Sequence, residues 1–216
     1  MLVWPNWARV AGALQARGVS IEAQQLAGAD PLARFSFDRA HIITGSTDQR
    51  RSNKFLELVL IEAGLELSEQ TAAALAEIRA YHRQHNLWEI VPDFVVPALQ
   101  RLRSAGYKLT VVSNANGTLH RAFDRLGLAP LVDLMLDSEV EGVEKPAREF
   151  FERALSRSGA SAETTVHVGD LYNVDVTGAR GAGLAAILVD EADLYRDIDC
   201  PRIRSIAELP ELLRQL

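Results

Sequence analysis

The chain has 216 residues, of which 48% are hydrophobic and 24% are charged, and its formal net charge is −6. This length is enough for one hydrophobic core, or for one core with an inserted module. The excess of acidic side chains disfavours nucleic-acid binding, which relies on clustered Lys and Arg, so we expect no nucleic-acid partner.

Cysteine usage and the length of the apolar runs favour a cytoplasmic protein. Cys200 is the only cysteine, which excludes an intramolecular disulfide, and no basic segment followed by an apolar secretory stretch begins at Met1. Apolar runs such as residues 58–61 are far shorter than the roughly 20 residues that cross a bilayer. We therefore expect a cytoplasmic location and no membrane span.

Residues 6–85 carry the spacing of successive helices. Leu56 and Leu60 share one helical face, and Gly64 is a typical stop signal after them. Ser68 is a suitable N-cap for the next helix. The pattern predicts a small helical bundle over this part of the chain.

After residue 88, helices alternate with short strands. Strands are predicted at residues 108–112, 165–168 and 185–189, and helices at 119–126 and 147–158. This alternation is typical of a Rossmann-like, doubly wound parallel sheet with helices on both faces. We therefore predict an α/β fold in which residues 89–216 form the core domain and residues 1–88 contribute an inserted helical domain.

Polar residues follow the predicted strands, at the edge of a parallel sheet where ligands usually bind. Residues 113–118 (Ser-Asn-Ala-Asn-Gly-Thr) could present a hydroxyl and backbone N–H groups to an anion, and Lys145 could reach a phosphate as a point charge. Asp170 and Asp175 offer the hard oxygen ligands that Mg²⁺ prefers. Taken singly, each feature has an ordinary alternative: a turn or cap, a solvated lysine, or structural acids.

Together, these segments resemble three sequence motifs of the haloacid dehalogenase superfamily of hydrolases, in the same order. Residues 111–114 (Val-Val-Ser-Asn) are similar to the second motif, Lys145-Pro146 to the third, and residues 169–175 (Gly-Asp-Leu-Tyr-Asn-Val-Asp) to the fourth. The helical stretch before His85 looks like the family's cap, so the resemblance covers nearly the whole chain. It implies a phosphatase that acts on a small phosphorylated molecule.

The resemblance also implies which residues bind the phosphate. Ser113 would hold the transferring phosphoryl oxygen, with the backbone of Asn114 and Ala115 assisting. Lys145 would neutralise developing charge and orient the nucleophile. Ser113 and Lys145 are therefore the expected catalytic residues of this chain.

A magnesium site follows from the same resemblance. Asp170 would ligate Mg²⁺, and Asp175 would support the shell of ligands around the metal. Mg²⁺ is thus the expected cofactor.

The sequence departs from the family in the first motif. Members of the family attack with an aspartate from a D-x-D-x-T type run at the end of the first core strand, but the first aspartate of this chain is Asp30, inside the helical region. Residues 1–5 look like the segment that usually follows this motif, with Met1 near the family's threonine. We therefore expect the first strand and its aspartates to lie upstream of Met1, and residues 1–216 by themselves to be inactive.

In the family's sheet the first strand is central, so its loss predicts open edges on the two strands beside it. Each buried backbone group that lacks a partner costs roughly 1–3 kcal/mol. We therefore expect the gap to be filled by a rearranged N-terminus, by a segment of a neighbouring copy or by a homodimer contact.

Two other functions stay open at this point. A non-catalytic binding or scaffold protein would have lost the first motif and kept an anion and metal pocket. A dehalogenase acting on 2-halo acids uses a related aspartate, although the Gly-Asp-x-x-x-x-Asp spacing that ends at Asp175 is the phosphatase-like form.

Overall fold

A computed structural model describes residues 1–39 and 48–215 of the chain. The chain divides into two compact units, one formed by Pro5–Ile90 and the other by Met1–Trp4 together with Val91–Leu216. Two short strands, β1 (Trp4–Pro5) and β2 (Trp88–Ile90), pair with each other. None of the helices in these described ranges is long and apolar enough to cross a membrane.

The unit Pro5–Ile90 is helical, as the spacing of its apolar residues predicts. Its helices are α1 (Trp7–Gln15), α2 (Ala23–Arg39), α3 (Asp48–Glu62) and α4 (Glu69–His85). The predicted N-cap is confirmed, because the Ser68 hydroxyl accepts the N–H of Thr71 while the Thr71 hydroxyl accepts the N–H of Ser68. This reciprocal pair satisfies backbone N–H groups that the first turn of a helix leaves without partners.

Aromatic side chains form the centre of this helical unit. The Phe55 ring lies 6.4 Å from the rings of both Trp7 and Phe37, and 6.1 Å from that of Trp88. Large rings bury much apolar surface per residue, which lets four helices of modest length share one core.

The second unit has the predicted α/β architecture. Its strands are β3 (Thr110–Ser113), β4 (Leu134–Asp137), β5 (Val166–Gly169), β6 (Ala185–Val189) and β7 (Arg202–Ile203). Its helices are α5 (Val95–Ser104), α6 (Leu119–Arg125), α7 (Ser138–Glu141), α8 (Arg148–Ser158), α9 (Thr177–Gly181) and α10 (Leu209–Leu212). The strands from β3 to β7 pair in parallel throughout.

These parallel strands form two sheets. β3 pairs with β4, from Thr110 opposite Leu134 to Ser113 opposite Asp137. The other sheet has the order β5-β6-β7. Within the described ranges, no strand pairs with the second edge of β3 or of β5, and β1 pairs with β2 and not with either of them. We call the space between these two open edges the β3–β5 gap.

One apolar cluster nevertheless joins the two sheets. Val111 of β3 and Val168 of β5 pack against it, together with Leu2 and Val3. Every residue of β3 and β5 stays half-buried, whereas the middle of β6 is fully buried. β6, which has a paired strand on each side, is therefore more deeply buried than β3 and β5, which are each paired on one side within the described residues.

Candidate functional site

The loop before α8 joins the carboxyl end of β3 through a pair of hydrogen bonds. The backbone N–H of Lys145 donates to Oδ1 of Asn114 at 2.7 Å, and Nδ2 of Asn114 donates to the backbone oxygen of Lys145 at 2.9 Å. The Asn114 side chain therefore fixes the backbone from which the Lys145 ammonium extends. Its predicted role concerned only its own backbone, so this function of the side chain was missed.

The same lysine reaches the carboxyl end of β5. Its Nζ donates to Oδ1 of Asp175 at 2.7 Å, and Nε2 of His167 lies 3.0 Å from the same oxygen. The other oxygen, Oδ2, accepts the backbone N–H groups of Asp170 and Leu171 at 3.1 and 3.0 Å. Lys145 therefore links the ends of two strands that belong to different sheets.

Asp175 is a buried and fully engaged carboxylate. It is 2% exposed, and its four hydrogen bonds fill the roughly four lone-pair positions of an ionised carboxyl group. Burial alone would raise the pKa of Asp175, but the Lys145 ammonium and the His167 hydrogen bond outweigh burial and hold this pKa well below its ordinary value. Asp175 is therefore a stable anion at the centre of the site.

The local backbone explains how Asp175 returns to the strand that precedes it. A single π-helical turn, Tyr172–Val176, follows Asp170, and the Asp175 N–H donates to the oxygen of Leu171 at 2.7 Å. The turn brings the carboxylate back over Gly169, where a Cβ would overlap Asp175. Glycine is required at this position because only a residue without a side chain leaves room for the carboxylate.

At the end of β3, the predicted phosphate-binding residues differ in whether their hydrogen-bond donors already have a partner. Ser113 ends β3, is half-buried, and its hydroxyl makes no hydrogen bond to the residues that the structure describes. Ala115 is engaged, because its N–H donates to Oγ of Ser138 at 3.0 Å. The predicted contact between the Ala115 backbone and phosphate would therefore have to displace this bond, whereas the Ser113 hydroxyl can donate directly.

Sequence reasoning missed Asp137, which organises the loop after β3. It stands opposite Ser113 in the sheet and is 2% exposed. Its oxygens accept the N–H groups of Gly117, Leu119 and Glu139 at 3.0, 3.1 and 3.0 Å. The available signal was an aspartate at the end of the apolar residues 134–136, the same pattern that drew attention to Asp170.

The donor set of this site fits Mg²⁺ only through Asp170, which is half-buried at the end of β5. Among residues 1–39 and 48–215, no group of three or more His, Cys, Asp or Glu side chains could enclose a metal ion. We predicted Asp175 as a member of the metal site, but all its lone-pair positions are taken, so ligation would cost at least one of its four hydrogen bonds. Mg²⁺ commonly binds one or two carboxylates and completes its shell with water and phosphate oxygens, which is compatible with Asp170 alone.

Comparison with known proteins shows the family of the chain. A family model described as haloacid dehalogenase-like hydrolase matches residues 4–183. The glyceraldehyde 3-phosphate phosphatase of Methanothermobacter thermautotrophicus is 37% identical over 123 residues, which are 52% of this chain and 54% of that protein. The ribulose-1,5-bisphosphate 5-phosphatase of Halopiger xanaduensis is also 37% identical, over 48% of this chain and 44% of that protein. The chain thus spans about half the length of these curated relatives.

Solved structures show the same fold. The HAD-hydrolase YfnB from Bacillus subtilis, solved with magnesium bound, superposes with a TM-score of 0.69 at 21% identity, over 95% of this chain and 90% of that one. A 2-haloacid dehalogenase from Pseudomonas syringae superposes with a TM-score of 0.59 at 24% identity, over 99% and 94% of the two chains. The family model covers most of the chain, and the chain belongs to the haloacid dehalogenase-like hydrolases.

Proposed function

We propose that this protein acts on phosphate esters of small metabolites, with Ser113, Lys145 and Asp170 around the phosphoryl group. The observation that carries the proposal is the position of Lys145. Its backbone N–H is hydrogen-bonded to Asn114, the residue after Ser113. Its ammonium is hydrogen-bonded to the Asp175 carboxylate, which also accepts the backbone N–H of Asp170. Two curated relatives at 37% identity are named as phosphatases of phosphorylated sugars, which supports a small phosphorylated substrate.

Each residue contributes a different interaction with the substrate. The Ser113 hydroxyl donates a hydrogen bond to one phosphoryl oxygen, and the Lys145 ammonium offsets the negative charge of another. Asp170 holds Mg²⁺, which when bound supplies further positive charge to the phosphoryl oxygens. The side chains of Asp175 and Asn114 make no contact with substrate in this proposal, because they hold Lys145 in place.

The nucleophile is the element that this arrangement does not include. The resemblance to the family implies an attacking aspartate at the end of a central strand, and the β3–β5 gap is where such a strand would lie. We propose that activity requires an aspartate-bearing strand in the gap, and that residues 1–216 by themselves bind phosphate without hydrolysing it. A non-catalytic protein that binds an anion and a metal is the second candidate.

Phosphate binding by the chain as it stands is the first test. We expect inorganic phosphate to bind in the presence of Mg²⁺, measured by calorimetry, and the Lys145→Met and Asp170→Asn variants to bind at least about tenfold more weakly, as expected from the loss of one charged contact. Asp199→Asn is a matched control, because Asp199 is an exposed aspartate paired only at the surface with Arg180 and Tyr172. Unchanged affinity in both test variants would overturn the proposed site.

Hydrolysis is tested by adding the strand. The chain is extended at Met1 with an apolar strand that ends in Asp-x-Asp, and its control carries Asn-x-Asn in the same extension. We expect the protein with the Asp-x-Asp extension to hydrolyse p-nitrophenyl phosphate in the presence of Mg²⁺, and the Asn-x-Asn control to be inactive. If the protein with the Asp-x-Asp extension folds with protection of the β3 and β5 amides from hydrogen exchange but stays inactive, the non-catalytic alternative is favoured.

A further inference from the structure

His167 is a mostly buried histidine inside the site to which the resemblance gives no role. It lies in the middle of β5, and its side chain is 13% exposed. Its Nε2 is 3.0 Å from Oδ1 of Asp175, the same oxygen that accepts the Lys145 ammonium. Since a carboxylate oxygen can only accept, Nε2 carries the proton and donates it.

The orientation of this imidazole is fixed from its other side. The Phe151 ring meets the His167 ring edge to face, with the centroids 5.1 Å apart and the planes at 90°. Phe151 is itself confined, because a Cβ on Gly178 would lie 2.7 Å from its Cε2 atom and 3.0 Å from the Cα of Pro146. Pro146 directly follows Lys145, so the residues that confine Phe151 lie next to the lysine. The counterion of this lysine, Asp175, is the group to which His167 is hydrogen-bonded.

A bound phosphate would affect the two donors to Oδ1 of Asp175, Lys145 and His167, in different ways. An anion that approaches Lys145 competes with Asp175 for the ammonium, and weakening this ion pair leaves a buried negative charge less compensated. The bond from His167 does not involve the phosphate, and with the N–H groups of Asp170 and Leu171 it leaves Asp175 with three donors. His167 can therefore keep the carboxylate in place while Lys145 turns to the ligand.

We propose that His167 is a positioning residue, which holds Asp175 through its Nε2–H and thereby directs the Lys145 ammonium toward the phosphate. The identity of the anion rests on the proposed function, but the coupling between His167 and Lys145 does not. His167 touches no substrate and transfers no proton in this role. It acts through Asp175 alone.

A comparison of His167→Gln with His167→Leu separates a positioning role of His167 from a packing role. A glutamine amide can place an N–H donor near the position of Nε2, whereas leucine fills a similar space without a donor. His120→Leu is the matched control, because His120 is an exposed histidine on α6.

The first readout is the Lys145 ammonium itself, followed by NMR of protein labelled with ¹⁵N-lysine. The chain has only three lysines, Lys54, Lys108 and Lys145, so the Lys145 signal is assigned by its loss in Lys145→Met. We expect this signal to be visible in the wild type, where the ammonium is bonded and the side chain is 13% exposed. It should vanish or shift in His167→Leu and persist in His167→Gln and His120→Leu.

The second readout is affinity for inorganic phosphate with Mg²⁺. We expect His167→Leu to bind about tenfold more weakly, as for the loss of one hydrogen bond to a charged group, and His167→Gln to recover most of this loss. If neither the Lys145 signal nor the affinity changes in His167→Leu, or if glutamine behaves like leucine, the inference is wrong. If the leucine variant does not fold, His167→Asn replaces it, because its shorter amide cannot reach Asp175.

The two readouts also separate this inference from the proposed function. If the wild type binds no phosphate, the proposed function fails, and the response of the Lys145 signal to the His167 variants still decides whether His167 positions the lysine. If phosphate binds but the Lys145 ammonium signal is the same in the wild type and in the His167 variants, only the positioning role is overturned.

Discussion

Gly169 lies directly against the carboxyl group of Asp175, so that a Cβ on Gly169 would overlap the Cβ, Cγ and Oδ2 atoms of Asp175. The carboxyl group cannot step aside, because four hydrogen bonds hold it. We expect Gly169→Ala to reduce the free energy of unfolding by about 3 kcal/mol, the upper part of the usual range for overpacking. Urea unfolding measures this loss.

Gly181→Ala serves as the control for this replacement. Gly181 ends α9, its backbone is not left-handed, and a Cβ there would meet nothing within 4 Å. Alanine favours helix by about 0.5–1 kcal/mol over glycine, so this variant should be as stable as the wild type or more stable. Equal losses in both variants would show that the contact with Asp175 is not what excludes a side chain at Gly169.

The ion pair between Lys145 and Asp175 should make stability depend on pH in a defined window. The pKa of Asp175 is lower in the folded protein than its ordinary value, mainly because Lys145 and His167 outweigh the opposing effect of burial. Its contribution to stability is therefore complete above the unfolded pKa of about 3.9 and is lost as the pH falls from there toward the folded value. The stability difference between the wild type and Asp175→Asn should be constant above about pH 5 and shrink below about pH 4.

At neutral pH we expect Asp175→Asn to lower the free energy of unfolding by roughly 3 kcal/mol, because it leaves the mostly buried Lys145 ammonium without its counterion. Urea unfolding between pH 3 and pH 7 gives both the size and the pH dependence. Asp199→Asn removes an exposed carboxylate from a surface pair and should cost less than about 1 kcal/mol. A difference for Asp175→Asn that stays flat down to pH 3 would contradict the depressed pKa.

The sequence could predict which residues end the strands, but not which of them touch. The β-branched run before Ser113 and the valines before Asp170 identify two strands, and parallel strands place their carboxyl ends at one edge. The bonds between Asn114 and Lys145 join residues 31 positions apart, and local patterns carry no information about such pairs. The function of the Asn114 side chain therefore became visible only in the folded chain.

Strand pairing was the other part that periodicity left undetermined. β2 and β7 have three and two residues, which is too short for an alternation of apolar and polar residues to identify them as strands. Open edges on two strands were expected, but only from the resemblance to a family whose first strand is central, and the sequence did not identify the two strands. Apolar runs show that a strand is buried and do not show which neighbour it pairs with.

Asp137 should support the site through the loop after β3. The Asp137→Asn replacement keeps the shape of the side chain but turns one acceptor oxygen into an amide nitrogen, so at least one of the three N–H groups loses its partner. We expect a loss of about 1–3 kcal/mol in stability, with weaker phosphate binding because this loop follows Ser113. Urea unfolding and calorimetry measure the two effects.

Asp124→Asn provides the comparison for Asp137, since Asp124 is an exposed aspartate on α6. Its replacement should change stability by less than about 0.5 kcal/mol. If Asp137→Asn is equally harmless, the three hydrogen bonds to Asp137 do not determine the conformation of the loop.

His82 should make the helical unit sensitive to mild acid. Burial, together with the charge of Arg83, lowers the pKa of His82 to about 4, and its Nδ1 accepts the N–H of Leu87 at 3.0 Å. The unfolded chain binds a proton on this residue near pH 6.5, whereas the folded chain stays neutral until about pH 4. Unfolding is therefore favoured progressively as the pH falls from 6.5 to 4, by up to about 3 kcal/mol in total.

The His82→Asn variant isolates this effect, because an amide oxygen can still accept the Leu87 N–H but does not titrate. We expect the variant to be less stable than the wild type at pH 7, since it loses the contact of the His82 ring with Trp88, whose centroids are 5.2 Å apart. Between pH 6.5 and pH 4 its stability should fall less steeply than that of the wild type, so that the two curves converge. Urea unfolding followed by tryptophan fluorescence measures both curves, and parallel curves over this range would contradict a neutral His82 in the folded chain.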